Sequence, residues 1–443
     1  VVKHRNYFAF SLNPVIGVKK NSQISRPCLY PTEGANKNFP FIPGNSFAYH
    51  MAKRLLNIWL VLLFLILTGS KFKDPINESG SDANLPFPLA VKEFHQSNDT
   101  EKIKIGLLLP VSPDKDMLSR SAMQGAELAV EQTNQAGGYD GQYFELVVRT
   151  ADGLWGAGSK ESVKLVHDDG VVAIVTAVDG RNAHLVEQVV AKSHVVQIAT
   201  RATEETLSQA YVPWFFRIVP NDKQQSIALI EEVYEKNGFM NVHLLIEDEN
   251  DHLSGAKTLK KLIKKSEFKI AGQTMIPDSG SDDINVKLED NMEALIVFGS
   301  FSTAKPYLDK IRYEYPSINV FGALSMTADG QIGSEYSEGC DGGIFVSSKF
   351  CFTTAGQAFK DAYKEKHKQL PNPAASYAFD GVNLIIEAIK KAGPDREKIR
   401  DVLKEINYAA GATGPIQFDG NGNRTSPVFM IRMIKGHPVL LKQ

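Results

Sequence analysis

The sequence predicts an α/β protein of two doubly wound lobes, joined by a hinge that the chain crosses three times. Three observations carry this. From Ile103 onward, short apolar runs alternate with segments of helical period, the pattern of a parallel sheet covered on both faces. At Arg217-Ile218-Val219-Pro220-Asn221-Asp222 the rhythm breaks, and a second alternation of the same plan then begins. After Val346 three helical stretches follow one another without strands between them, which fits a return to the first sheet better than an extension of the second.

The elements follow in order. Ile103 to Leu109 is a strand ended by Pro110. Met123, Ala126, Val130 and Thr133 share one helix face, and that helix closes at Asn134-Gln135-Ala136-Gly137-Gly138. Strands are expected at Phe144 to Arg149, Val171 to Val175 and Val195 to Ala199. Helices carry Val163 and Val166, then Ala183, Val186, Val189 and Val190. In the second set, strands fall at Val242 to Ile246, Lys269 to Met275, Leu295 to Phe298 and Asn319 to Phe321. Its helices carry Ile227, Ile230 and Tyr234, then Ala256, Leu259 and Ile263, then Leu308 and Ile311. A strand at Gly343 to Ser347 precedes the three helical stretches, around Phe359, Leu384 to Ile389 and Ile399 to Leu403. Strand-like pieces at Ile416 to Phe418 and Val428 to Met433 end the chain. The crossings fall near Arg217–Pro220, Ser347–Phe350 and Gly411–Gly414. Lobe 1 is expected at 101–218 plus 349–412, and lobe 2 at 219–348 plus 413–443. Several crossings make a hinge, and a hinge between lobes makes a closing cleft.

The N-terminal 100 residues read differently. Residues 1–50 contain no Met and no sustained period, and are set aside as a non-native or disordered leader. Met51-Ala52-Lys53-Arg54, the apolar run Leu55 to Leu67 and Thr68-Gly69-Ser70 have the outline of a signal peptide over 51–70. The run is short for a membrane span, and an uncleaved anchor is the alternative. Residues 71–100, rich in Pro, Ser, Asn and Asp, read as a linker.

The 443 residues are too many for one typical core. With 49 Lys+Arg against 51 Asp+Glu, there is no basic surplus with which to neutralise phosphates, so nucleic acid is not the expected partner. No His-Glu-x-x-His cluster, Gly-x-Ser-x-Gly elbow or Walker loop occurs, and no metal, cofactor or catalytic set is expected. Asp419-Gly420-Asn421-Gly422-Asn423 imitates half a calcium loop, but Arg424 and Met430 stand where that loop needs Gly and Glu, so it reads as a turn. Cys340 and Cys351 flank the strand at 343–347, and a bridge between them requires the chain to turn back.

Five segments carry a resemblance along the body of the chain. They are Gly125-Ala126-Glu127-Leu128-Ala129-Val130-Glu131 with its Gly-Gly turn, Asp169-Gly170-Val171 before the third strand, Ala202-Thr203, Tyr377-Ala378-Phe379-Asp380-Gly381-Val382, and Thr413-Gly414-Pro415-Ile416-Gln417-Phe418-Asp419 through Arg424. No single piece is specific, but their order is. From Ile103 to the end, the chain resembles the type I periplasmic binding proteins, and within them the branch that serves branched-chain amino acid ABC transporters. The resemblance implies Rossmann-like lobes and an exported, monomeric solute-binding protein of the periplasm. Such a protein would deliver a small polar ligand, an amino acid or related compound, to an ABC permease. A ligand sensor that uses the same cleft to signal to a membrane receptor is the alternative; an enzyme would need a catalytic set that is missing.

The resemblance also points to candidate ligand residues, and the departures from it matter most. Thr203 matches the family's carboxylate-binding Thr. Asp179 stands where the family has a Ser, and an ionised Asp cannot donate to a carboxylate. It reads either as a partner for an amine or hydroxyl, or as the N-cap of the helix starting near Arg181. The backbone N–H groups of Gly180 and Arg181 can hold an anion. Arg201 can supply a bidentate donor or stand as a solvated loop charge. Where the family places an acid for the amino group, this chain has Gly322-Ala323-Leu324-Ser325, and Ser325 joins the candidates. His252 replaces the family's aromatic beside the second-lobe turn. Trp155 is either an apolar wall or lobe packing, and Met117 and Leu118 are placed at the cleft mouth. The usual clamp for a zwitterion is therefore incomplete, and the amino acid specificity is not expected to carry over.

Overall fold

The computed structural model describes residues 101–441 except 154–155, 278–285, 290 and 334. The leader, signal segment and linker expected over 1–100, and Trp155, lie outside the described residues.

The first half of the body runs β1 (Ile103–Leu109), α1 (Met117–Gln135), β2 (Phe144–Thr150), α2 (Ala157–His167), β3 (Ala173–Thr176), α3 (Gly180–Ser193), β4 (Val196–Ala199), α4 (Thr206–Gln209) and β5 (Phe215–Arg217). These five strands form one sheet in the order β2-β1-β3-β4-β5, parallel throughout. Ile105, Leu107, Ile174, Val175, Val196 and Ile198 are wholly buried in it. Each such side chain contributes about 1.5–3 kcal/mol relative to exposure.

The second half runs α5 (Asp222–Ile230), β6 (Val242–Glu247), α6 (Asn250–Ile263), β7 (Ile270–Ile276), β8 (Ala294–Phe298), α7 (Phe301–Glu314), β9 (Asn319–Gly322) and β10 (Ile344–Val346). It continues with α8 (Thr354–His367), α9 (Pro373–Ala392), α10 (Arg396–Lys404), β11 (Met430–Ile434) and β12 (His437–Leu440). The second sheet has the order β12-β11-β10-β9-β8-β6-β7. Its parallel part, β7-β6-β8-β9-β10, repeats the strand order of the first sheet, and β11 and β12 extend it antiparallel. The protein is thus α/β with two doubly wound lobes.

Two sequence expectations change, and one question the sequence left open is answered. Phe215–Arg217, of which the expected break took in only Arg217, is the fifth strand of the first sheet; a run of three residues is too short for periodicity to register. Ile416 to Phe418 is not a strand. Ile416 and Phe418 make only isolated bridges, to Tyr408 and Arg424, between Pro415 and Gly420, which interrupt any ladder. The bridge between Cys340 and Cys351 is not formed. Cys340 is a free, buried thiol whose pKa burial pushes up to about 12.

Between β10 and β11 the chain returns to the first sheet. Helix α9 packs along α1 and over β3, and α10 lies against α9 and β4. The α1–α9 approach explains a glycine inside a helix. A Cβ on Gly125 would stand 2.1 Å from the carbonyl oxygen of Ala375, so the residue that costs a helix about 0.5–1 kcal/mol is the one that lets the two helices touch.

The chain passes between the sheets three times, and the crossings are tied together by buried charges. Arg424 donates to the carbonyls of Ile218, Thr413, Gly414 and Pro415 at 2.9–3.2 Å, and to the hydroxyls of Thr413 and Ser426. Asp380 on α9 accepts from the N–H groups of Ala412 and Thr413 and from the Thr413 hydroxyl, at 2.6–2.8 Å. Arg217, wholly buried, donates to the Glu204 carbonyl, Asn423 Oδ1 and the Ser208 hydroxyl. The Asp419–Asn423 segment is a turn, closed by Asn421 and Asn423 N–H groups on Asp419 Oδ1.

Candidate functional site

In open α/β sheets ligands bind beyond the carboxyl ends of the strands. Here the loops leaving β3, β4, β6, β8 and β9 meet around one cavity of about 970 Å³, counted out to its open mouth. Ala177 follows β3, and Thr200, Arg201 and Thr203 follow β4. Glu249, Asp251 and His252 follow β6, Phe298 and Ser300 end β8, and Ala323, Leu324 and Ser325 follow β9. Leu118 and Ala122 of α1, and Pro373, Ala374 and Tyr377 of α9, close the first-lobe side.

Bonds between the halves flank the cavity. Gly180 N–H donates to Asp251 Oδ1 at 2.9 Å. On another side, Ala374 N–H donates to the Ala328 carbonyl at 3.2 Å, and Asn372 Nδ2 to the Asp329 carbonyl at 3.0 Å.

Of the seven residues expected from the sequence, Arg201, Thr203, His252 and Ser325 line this cavity. Asp179 and Gly180 are not among the lining residues. Asp179 is the N-cap of α3, with its carboxylate accepting from Asn182 N–H at 2.7 Å and Asn182 Nδ2 at 3.1 Å. The N–H of Gly180 is taken by Asp251. Trp155 lies outside the described residues. Leu118 lines the cavity and Met117 does not.

Sequence reading missed the acids. Asp222, at the start of α5, is buried, and burial raises its pKa; the hydroxyls of Thr203 and Ser254 pull the other way. Asp251, in the first turn of α6, is pushed up to about 7 by burial and by neighbouring Glu249, against the Gly180 N–H and Arg201. Both sit where an acid is ordinary at a helix start, so the pattern around them looked structural. The signal that could have found Asp251 is its place beside His252, just past a strand end.

Two cavity atoms lack hydrogen-bond partners although buried: Ser325 Oγ and His252 Nδ1. The latter lies 3.2 Å from Glu247 Oε2, off the line of a hydrogen bond. Burial alone would raise Glu247, but His252 and the Ser300 N–H outweigh it and hold this carboxyl below its usual range. Among the described residues no group of three or more His, Cys, Asp or Glu could hold a metal. Among them, too, no helix is long and apolar enough to cross a membrane.

Two doubly wound lobes around a cavity at the carboxyl ends of both sheets define a two-lobed ligand-binding protein. The chain belongs to the family described as receptor family ligand binding region, whose model matches residues 121–437. It is a binding protein rather than an enzyme. The Leu/Ile/Val-binding protein homolog 3 of Brucella melitensis is 25% identical over 344 residues, spanning 74% of this chain and 90% of that protein. Glutamate receptor 3.4 of Arabidopsis thaliana is 23% identical over 330 residues, 63% of this chain and 33% of the receptor. Among solved structures, the branched-chain amino acid transporter substrate-binding protein of Streptococcus pneumoniae, in complex with isoleucine, superposes with a TM-score of 0.67 at 22% identity. That match covers 77% of this chain and all of the other.

Proposed function

We propose that this chain is an extracytoplasmic solute-binding protein. It captures a small polar ligand, an amino acid or a related compound, between its lobes and delivers it to an ABC permease. The observation that carries the reading is the cavity itself: strand ends of both sheets contribute to one lining, and lobe-to-lobe hydrogen bonds stand at its edges. A ligand held by both lobes favours the closed form by its differential affinity for that form. Thr203, Arg201, His252 and Ser325 are the proposed ligand contacts, with Asp179, Gly180 and Trp155 as outer members of the set. The protein acts as a monomer, exported by the segment 51–70, whose cleavage N-terminal sequencing of the secreted chain would detect.

The test is a thermal-shift screen of the full chain with amino acids, amides, amines and small carboxylates. A ligand that binds only the folded state raises stability by about 2.7 kcal/mol at a hundred times its Kd. A shift followed by uptake in vesicles carrying an ABC permease from the same organism supports delivery. No shift with any compound sinks the reading. The match to a plant glutamate receptor favours, as a second reading, a sensor that uses the same cavity to signal to a membrane receptor. Binding without permease-dependent uptake would select it.

A further inference from the structure

Resting on that reading, we infer that the ligand is an organic cation: an amine with an apolar body and no α-carboxylate. The charges lining the cavity point this way. Three carboxylates face it, Asp222, Glu249 and Asp251, against Arg201 and His252. His252 Nδ1 stands between Glu247 at 3.2 Å and Glu249 at 3.7 Å, so it is shared between two carboxylates, and Arg201 is exposed. Among the described residues no lysine or arginine forms an ion pair with any of the three acids. Asp222 receives only hydroxyl donors, from Ser254 at 2.9 Å and from Thr203. Asp251 receives the Gly180 N–H at 2.9 Å, and Glu249 receives the Asp251 N–H at 2.9 Å. Asp222 is buried and Asp251 and Glu249 are part-buried; carboxylates drawn from water need a counter-charge, and an ammonium group in the cavity supplies it. Ser325 Oγ, buried and unpartnered, adds an acceptor for an ammonium proton.

The rest of the lining fits the same compound. Leu118, Phe298, Leu324 and Tyr377 give an apolar surface for a hydrocarbon body. The loop after β9 gives the cavity Ala323, Leu324 and Ser325 and no charge, whereas the acids come from the starts of α5 and α6. A ligand carboxylate would meet like charge from Asp222, Glu249 and Asp251.

A cation that pairs with Asp251 binds its ionised form. The groups facing Asp251 are the Gly180 N–H and Asp179 from α3, Arg201 from the loop after β4, and Glu249 on its own loop; together with burial they hold it near neutrality. Its proton must therefore leave as the amine enters, and affinity falls by about tenfold between pH 8 and pH 6.

Calorimetric titration of the full chain with putrescine, agmatine, tyramine, leucine, isoleucine and benzoate, at pH 8 and pH 6, tests this. The expected result is that an amine binds, about tenfold more weakly at pH 6. Asp251→Asn should weaken it at least tenfold and remove the pH dependence, while the free protein still unfolds in one cooperative transition; Glu249→Gln serves as a second variant. Binding of leucine, isoleucine or benzoate with no amine bound overturns the ligand class and leaves the binding-protein reading standing. Amine binding untouched by both variants also overturns it, by moving the amine elsewhere. If no compound of either kind binds, both readings fall together.

Discussion

The hinge and the cavity both bury charge, and they treat it in opposite ways. In the hinge, Arg424 commits its guanidinium to four carbonyls and two hydroxyls, and Asp380 collects two N–H groups and a hydroxyl. Of the hinge charges only Arg217 keeps an unpaired atom, its Nε. In the cavity, Asp222 and Asp251 form no ion pair, Arg217 and Arg201 acting on them only from a distance, and Ser325 Oγ and His252 Nδ1 have no hydrogen bond. A buried charge that is fully bonded within the chain holds the chain together. One that is partly bonded and faces a cavity is held ready for something that enters. On the proposed function, the difference would separate structural from functional polarity, and the variants below test whether it does.

The largest effect should come from breaking the hinge. Arg424→Met leaves the carbonyls of Ile218, Thr413, Gly414 and Pro415 without their donor, at a cost of about 3–5 kcal/mol. Urea unfolding measures this; a loss below about 1 kcal/mol would mean the hinge network is no more structural than the cavity acids. Asp251→Asn should act in the other direction. The pKa of Asp251 is raised by folding, from the usual 3.8 to about 7, so the folded state holds the proton more tightly than the unfolded chain. Its contribution is therefore fully present below about pH 4 and is lost as pH rises through 7. At about 1.4 kcal/mol per unit, the effect amounts to a few kcal/mol at most. Asp380, raised to about 6, and Asp329, also raised to about 6, pull the same way. The comparison to make is thus variant against parent: without ligand, the Asp251→Asn protein should show the flatter stability profile between pH 4 and 8. A variant that is less stable than the parent at pH 8 would place Asp251 with the hinge charges.

Thr203→Ala should have a smaller effect, confined to ligand. Its hydroxyl bonds to Asp222 and lines the cavity, and one hydrogen bond is worth about 0.5–1.5 kcal/mol. Affinity is expected to drop up to tenfold by calorimetry, with the free protein's melting temperature little changed. Unchanged affinity would remove Thr203 from the site.

Much of the fold was legible because the strands are buried on both faces and the helices on one. Ile103 to Leu109 and Ala294 to Phe298 stand out as apolar runs for that reason. What could not be read was short or paired at a distance. Phe215–Arg217 has three residues, and His437–Leu440 is a strand only through its pairing with β11. Of the cavity-lining residues, Arg201 was legible from its loop after a strand, and Thr203 and His252 from the family resemblance. Asp222 and Asp251 were not, because an acid in the first turn of a helix has an ordinary structural reason to be there. Only burial distinguishes them, and burial is a property of the packed lobes.

Asp179 sharpens that point from the other side. Sequence offered it two roles, and the structure shows both oxygens bound by Asn182 at the start of α3. As a cap it belongs with the hinge charges, satisfied within the chain, although it stands beside the cavity rim. Asp179→Ala should then cost about 1 kcal/mol of stability, while Asp179→Asn, which still caps, should cost a few tenths. Ligand affinity should stay within about twofold in both, since Asp179 reaches the ligand only by its charge on Asp251. Stability from urea unfolding and affinity from calorimetry decide it together. If both variants weaken ligand tenfold while Asp179→Asn retains stability, the carboxylate touches the ligand. Proximity to the cavity, rather than satisfaction within the chain, would then be the better guide to function.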